Sequence, residues 1–168
     1  MLADRAERLV PLLQVAVTRR VLLHRHLGFA THVAVNDRVA GLLSRIPGLQ
    51  LVPGPAHPGH MCSALAAVPG ALAKAARDTW DAAGAGSCDT VCTIFHSCHR
   101  ELSALDGKDD VRVRNWVQLV AEAMGLEASD AYLGWRTGGA PDIAAIERAD
   151  ESRYHTLVEP ELRKPPPA

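Results

Sequence analysis

Thr90-Val91-Cys92-Thr93-Ile94-Phe95-His96-Ser97-Cys98-His99-Arg100-Glu101-Leu102 reads as a strand that runs directly into a helix. The first six residues are mostly β-branched or apolar and carry no charge, the pattern of a strand buried on both faces. The reactive side chains begin where the strand stops, with His96, Cys98 and His99. Cys98 opens a helix predicted over residues 98–105, and a helix N-terminus favours thiolate over thiol. Cys98 is thus a candidate nucleophile or metal ligand, and the sequence does not choose between the two.

The same unit recurs on either side. Val21-Leu22-Leu23 is a short apolar run that ends in His24-Arg25-His26-Leu27-Gly28. Asn36-Asp37 is a predicted N-cap, with Val39, Leu42, Leu43 and Ile46 on one helical face and Pro47-Gly48 as the stop. Leu49-Gln50-Leu51-Val52 is a second strand. Residues 53–59 form a Pro/Gly/His loop without regular structure, leading to Cys62. Residues 68–83 are Ala-rich with helical period and end at Gly84-Ala85-Gly86. Residues 111–115 give a weaker fourth strand, followed by a helix over 116–124, and a first helix covers 4–15.

Strands alternating with helices predict an α/β fold, a small, mostly parallel sheet of about four strands with flanking helices and right-handed crossovers. This domain is expected to span residues 1–127. Residues 128–168 read as a helical extension and tail, with a linker at Gly138-Gly139-Ala140-Pro141, a short helix over 142–151 and a frayed end at 164–168.

In such sheets ligands bind beyond the carboxyl ends of the strands. Strand one delivers His24 and His26 there. The loop after strand two delivers His57, His60 and Cys62. Strand three delivers His96, Cys98 and His99, and strand four Arg114 and Asn115. Imidazole and thiolate suit zinc, iron–sulfur clusters or copper. His24, His60, Cys62 and Cys98 would fill four metal positions, with His26 and His96 as further cofactor-binding candidates. Cys88 and Cys92 read as packed core. His57 falls in a loop, His32 and His155 read as surface residues, and residues 106–110 and 159–164 as solvated charge.

Composition narrows the classes. The chain has 168 residues, 48% hydrophobic and 22% charged, with a formal net charge of −1, which fits one globular domain with a core. It lacks the basic field of a nucleic-acid binder, and at 4% aromatic residues it offers few stacking platforms. No apolar run nears the roughly 20 residues of a membrane span, and the first residues lack the layout of a signal peptide. A cytoplasmic location is expected. There the four cysteines read as thiols, ligands or redox groups rather than disulfides. Walker, G-x-G-x-x-G, G-x-S-x-G and C-x-x-C motifs are all missing, which argues against a thioredoxin-type site or a zinc ribbon.

Residues 90–102, together with Gly59-His60-Met61-Cys62-Ser63 and the Leu42–Leu49 segment with its Ile46-Pro47-Gly48 turn, resemble the cysteine-rich (CCG) domain of heterodisulfide reductase B and D subunits and related iron–sulfur oxidoreductases. The resemblance covers residues 21–124. Cys62 stands in the family's Cys-Cys-Gly, and Cys98 at the second cysteine of its C-x-x-C. Val21, Met61 and Phe95 occupy positions where the family has cysteine, and His24, His26, His60 and His96 lie near those gaps. The resemblance implies a CCG-like fold and a noncubane or cubane iron–sulfur cluster. It also implies electron transfer or thiol–disulfide chemistry at Cys62 and Cys98. Partners would be other redox subunits, such as a second CCG domain or a flavoprotein. Two other readings accompany it: a mixed His/Cys zinc protein, and a scaffold subunit that has lost its cofactor. A hydrolytic zinc site would want a general base, for which Glu101 is the nearby candidate.

Overall fold

The computed structural model describes residues 6–130 together with Leu133 and Gly134. The chain divides into two compact units, Met1–Asp130 and Ala131–Ala168. Of the second, only Leu133 and Gly134 are described, both helical. The linker, helix and tail expected at 138–141, 142–151 and 164–168, and His155, lie outside the described residues.

The first unit is an α/β fold with an all-parallel sheet, as the alternating pattern predicts. Its strands are β1 (Arg19–His26), β2 (Leu49–Val52), β3 (Ala56–His57), β4 (Thr90–Thr93) and β5 (Arg112–Asn115). The order is β2-β1-β4-β5. β1 pairs with β2 from Arg19↔Leu49 to Leu22↔Val52 and with β4 from Val21↔Thr90 to His24↔Thr93. Beyond the end of β2, the two-residue β3 pairs with Arg25 and His26. The chain therefore leaves β1 toward one neighbour and returns on its other side, which makes the β1/β4 boundary the switch point of the sheet. That is where parallel α/β sheets open a crevice at their carboxyl ends.

Helices cover both faces. Strand residues alternate, so Val21 and Leu23 of β1 face one side and Leu22, His24 and His26 the other. The first side packs against α2 (Ala30–Leu43) and α6 (Trp116–Ala123), with Val39, Leu42, Leu43, Trp116, Leu119 and Val120 buried against Val21, Leu23 and Cys92. The second side meets α3 (Cys62–Ala66), α4 (Ala71–Ala85) and α5 (His96–Leu102) through Trp80, Ala83, Cys98 and Leu102. A fully buried leucine such as Leu22 stabilises the fold by roughly 1.5–3 kcal/mol. Cys88 and Cys92 are buried in these two cores, as their flanks suggest. Among the described residues no helix is long and apolar enough to cross a membrane.

Several boundaries differ from the sequence pattern, each for a local reason. The first helix is only α1 (Ala6–Leu9) followed by a 3₁₀ turn at Val10–Leu12, because Pro11 cannot continue an α-helix. α2 starts at Ala30, not at Asn36. Asn36 is buried in mid-helix and donates from Nδ2 to the His26 carbonyl at 2.7 Å, tying the helix to the end of β1. α5 starts at His96, so Cys98 lies within the first turn rather than at its head. Asn115 supplies a capping box for α6 with Gln118, and Arg114 lies 3.9 Å from Glu122. The fourth strand thus ends in a helix cap and an ion pair rather than in ligands.

Candidate metal centre

β1 is longer than its apolar run, and its extra residues build the site. His24 and His26 are two apart on one strand, so both imidazoles project from the same face. They point under α3 and α5, where Cys62 opens α3 and Cys98 lies in α5. All four side chains are at most 1% exposed. Their donor atoms lie within 4.8 Å of one another. His24 Nε2 is 3.1 Å from His26 Nε2 and 3.2 Å from Cys62 Sγ, and His26 Nε2 is 3.5 Å from the same sulfur. The Cys62 backbone N–H points at Cys98 Sγ, 3.4 Å away. This buried His₂Cys₂ group could hold a metal ion.

The surrounding hydrogen bonds assign the imidazole tautomers. The Thr79 hydroxyl donates to the Ala75 carbonyl at 2.7 Å, which leaves its oxygen to accept. It accepts from His24 Nδ1–H at 3.1 Å and from His57 Nε2–H at 3.0 Å. His26 Nδ1 faces the Pro58 carbonyl at 3.3 Å, and a carbonyl only accepts, so this nitrogen carries its proton. With both Nδ1 atoms protonated, neutral His24 and His26 present two bare Nε2 lone pairs to each other. Burial pushes the His24 pKa down, which opposes adding a proton between them. Lone pairs at this separation repel unless a donated proton, such as that of the Cys62 thiol 3.2 Å from His24 Nε2, or a metal cation sits among them. Metal-bound histidines are oriented in this manner, with the far ring nitrogen held by an outer partner.

The two thiols share their charge unequally. The hydrogen bond from Cys62 holds the Cys98 thiol well below the ordinary thiol range. The same bond with Cys98, together with burial, pushes the Cys62 thiol up. The pair therefore favours one thiolate, and thiolate is the form that binds metal.

No protein-family model, curated protein or solved structure matches this chain.

His60 and His96 stand outside the group. His60 is half-buried against the rings of Phe29 and His32, 5.0 and 5.9 Å away between centroids, and His96 is exposed. His26, not His60, completes the four-donor set with His24, Cys62 and Cys98. His32 is half-buried rather than a surface residue.

Three participants carry little sequence signal. His57 sits on β3 rather than in an irregular loop and is 3% exposed, its ring 4.6 Å from that of His24. Thr79 looks like an ordinary residue of an Ala-rich helix, yet it is fully buried and orients two imidazoles. His99 bonds Thr93 Oγ1 through Nδ1 at 3.2 Å and Asp130 Oδ2 through Nε2 at 2.6 Å. That chain fixes α5, and with it Cys98, against β4.

Proposed function

We propose that this protein is a zinc-binding α/β domain in which His24, His26, Cys62 and Cys98 hold one ion and lock together the carboxyl end of β1, α3 and α5. The observation that carries the reading is the convergence of the four buried donor atoms, with the two Nε2 atoms 3.1 Å apart and both rings fixed from behind. Two nitrogens and two sulfurs form a common zinc donor set, with bonds near ~2.0–2.3 Å. Donors at the corners of such a tetrahedron lie about 3.3–3.8 Å apart, close to the 3.1, 3.2 and 3.5 Å found here. A cubane cluster would place each protein donor on a different iron, which spreads the donors farther than these. The donors are buried and number four, which suits a closed structural ion better than a hydrolytic one with an open position.

A second reading keeps the redox chemistry implied by the resemblance to CCG domains. Its support is the adjacency of Cys62 and Cys98, shown by the 3.4 Å approach of the Cys62 N–H to Cys98 Sγ. In that reading the chain is an oxidoreductase subunit, with an iron–sulfur cluster or a thiol pair that loses two electrons and two protons to a disulfide-bearing partner.

Metal and acid-labile sulfide analysis of anaerobically purified protein decides between them. One zinc per chain without sulfide is expected. Iron with stoichiometric sulfide would overturn the zinc reading in favour of the redox one. Protein that takes up no zinc, even when reduced and supplied with it, would remove the metal centre altogether.

A further inference from the structure

Outside the four-donor group, one more cluster of metal-ligating side chains lies at the same end of the sheet. His32 is in the first turn of α2, and His60 lies in the loop before α3. Their rings are 5.9 Å apart between centroids. Neither ring has a hydrogen bond among the described residues, and His32 Nδ1 is buried without a partner. Both backbones are held. Gly28 N–H donates to the Gly59 carbonyl at 2.8 Å and Leu27 N–H to the His57 carbonyl at 3.0 Å, which pins the His60 loop beside the start of α2. Phe95 lies 4.7 Å from the His32 ring and Phe29 5.0 Å from the His60 ring, so the imidazoles are flanked by apolar surface.

We propose that His32 and His60 form a second, outer metal site that binds a borderline divalent cation such as Zn²⁺, Ni²⁺ or Cu²⁺ through two imidazoles, with water completing its shell. Two imidazoles on one ion, with metal–nitrogen bonds of ~2.0–2.1 Å, have ring centroids about 4.5 Å apart at a right angle, about 5.2 Å at the tetrahedral angle and about 6.4 Å when opposite, and the 5.9 Å separation falls within that span, wider than tetrahedral. The His24 and His26 rings of the inner group are 5.0 Å apart. An ion bound through His32 Nδ1 would give that orphaned nitrogen a partner. Two neutral nitrogens and no thiolate make the site weaker and faster to exchange than the inner one. The Phe95 ring lies beside both pairs, 4.7 Å from the His32 ring and 6.5 Å from the His26 ring between centroids.

The test is cobalt binding by the reduced full chain, followed by equilibrium dialysis and absorption together. Co²⁺ on thiolates gives an intense charge-transfer band, and Co²⁺ on imidazoles alone does not. The first ion is expected to raise the band to saturation, and a second to bind more weakly without changing it. The double variant His32→Ala/His60→Ala should keep the band and bind the second ion at least tenfold more weakly. In the unaltered protein, the second ion should broaden the imidazole resonances of His32 and His60, a readout that needs no variant. A second ion that survives the double substitution, or that broadens only His96, would overturn the proposal. Absence of any band-silent ion would do the same. Loss of a band-silent ion in the double variant, from a protein that shows no thiolate band, would support the outer site while refuting the inner one.

Discussion

His24 Nε2 and His26 Nε2 face each other at 3.1 Å while the far nitrogen of each ring is engaged by Thr79 and by the Pro58 carbonyl. This arrangement gives the two histidines equal standing as ligands. His24→Ala or His26→Ala should therefore weaken zinc binding by more than the roughly 10–100-fold typical of an outer partner. His96→Ala should leave it unchanged. Competition with a chromophoric chelator measures all three, and a His26→Ala protein with unaltered affinity would rule out the assigned set.

Thr79→Val keeps the shape of the side chain but removes the hydroxyl that accepts from both His24 and His57. Two buried N–H groups lose their partner at once. The expected cost is about 1–3 kcal/mol per orphaned group, with zinc affinity reduced by roughly 10–100-fold. Thr79→Ser should restore most of both. Equal affinities in the Val and Ser proteins would show that Thr79 does not orient the ligand.

The metal-free protein should lose stability in mild acid. Burial, then the neighbouring His24 and His26, pushes the His57 pKa from 6.5 down to about 4. The folded pKa lies below the unfolded one, so the unfolded chain takes up the proton first. The His57 contribution is complete above pH 6.5, is lost as the pH falls toward 4, and changes no further below that. His24, lowered mainly by burial, acts with the same sign. Urea unfolding across this window should show the decline, and His57→Gln should reduce its slope by roughly one proton. An identical slope in the variant would contradict the assignment.

Gly28 lies where β1 meets the His60 loop. A Cβ there would come within 2.3 Å of the Gly59 carbonyl carbon and 2.5 Å of His60 N, both backbone atoms. Gly28→Ala should displace the segment that carries Cys62, costing about 1–3 kcal/mol and weakening zinc binding. Gly41→Ala, in α2 with nothing within 4 Å of the new methyl, should instead stabilise by about 0.5–1 kcal/mol. Thermal melts of the two proteins, with and without zinc, separate a local clash from a general effect.

Much of the architecture was legible from periodicity. β-branched and apolar runs found the four main strands, and the rule for parallel sheets collected His24, Cys62 and Cys98 at one end. What periodicity missed was polar and buried. His24 and His26 ended the apolar run at Leu23, so β1 looked too short, and the two-residue spacing that puts both rings on one face was not visible. With β1 cut short, His60 took the place in the four-ligand set that belongs to His26. Asn36 looked like a cap because asparagine usually stays out of helix interiors, yet here it bonds the His26 carbonyl. His57 lay among prolines and glycines, which hid the brief pairing of β3 with β1. Thr79 has no signature at all, since one hydroxyl in an alanine-rich helix gains meaning only from what packs on it.

The spacing of the ligands along the chain bears on how long the native state lasts. His26, Cys62 and Cys98 are separated by two successive intervals of 36 residues each. An ion held by all three closes two large loops, and a cross-link around a loop of that size removes roughly 3–4 kcal/mol of freedom from the opened chain. Such a centre can form only after β1, α3 and α5 have met, too late to seed their assembly. The ion should therefore leave the rate of folding nearly untouched and slow the rate of unfolding, acting as a latch on the finished sheet and prolonging its lifetime rather than guiding its formation.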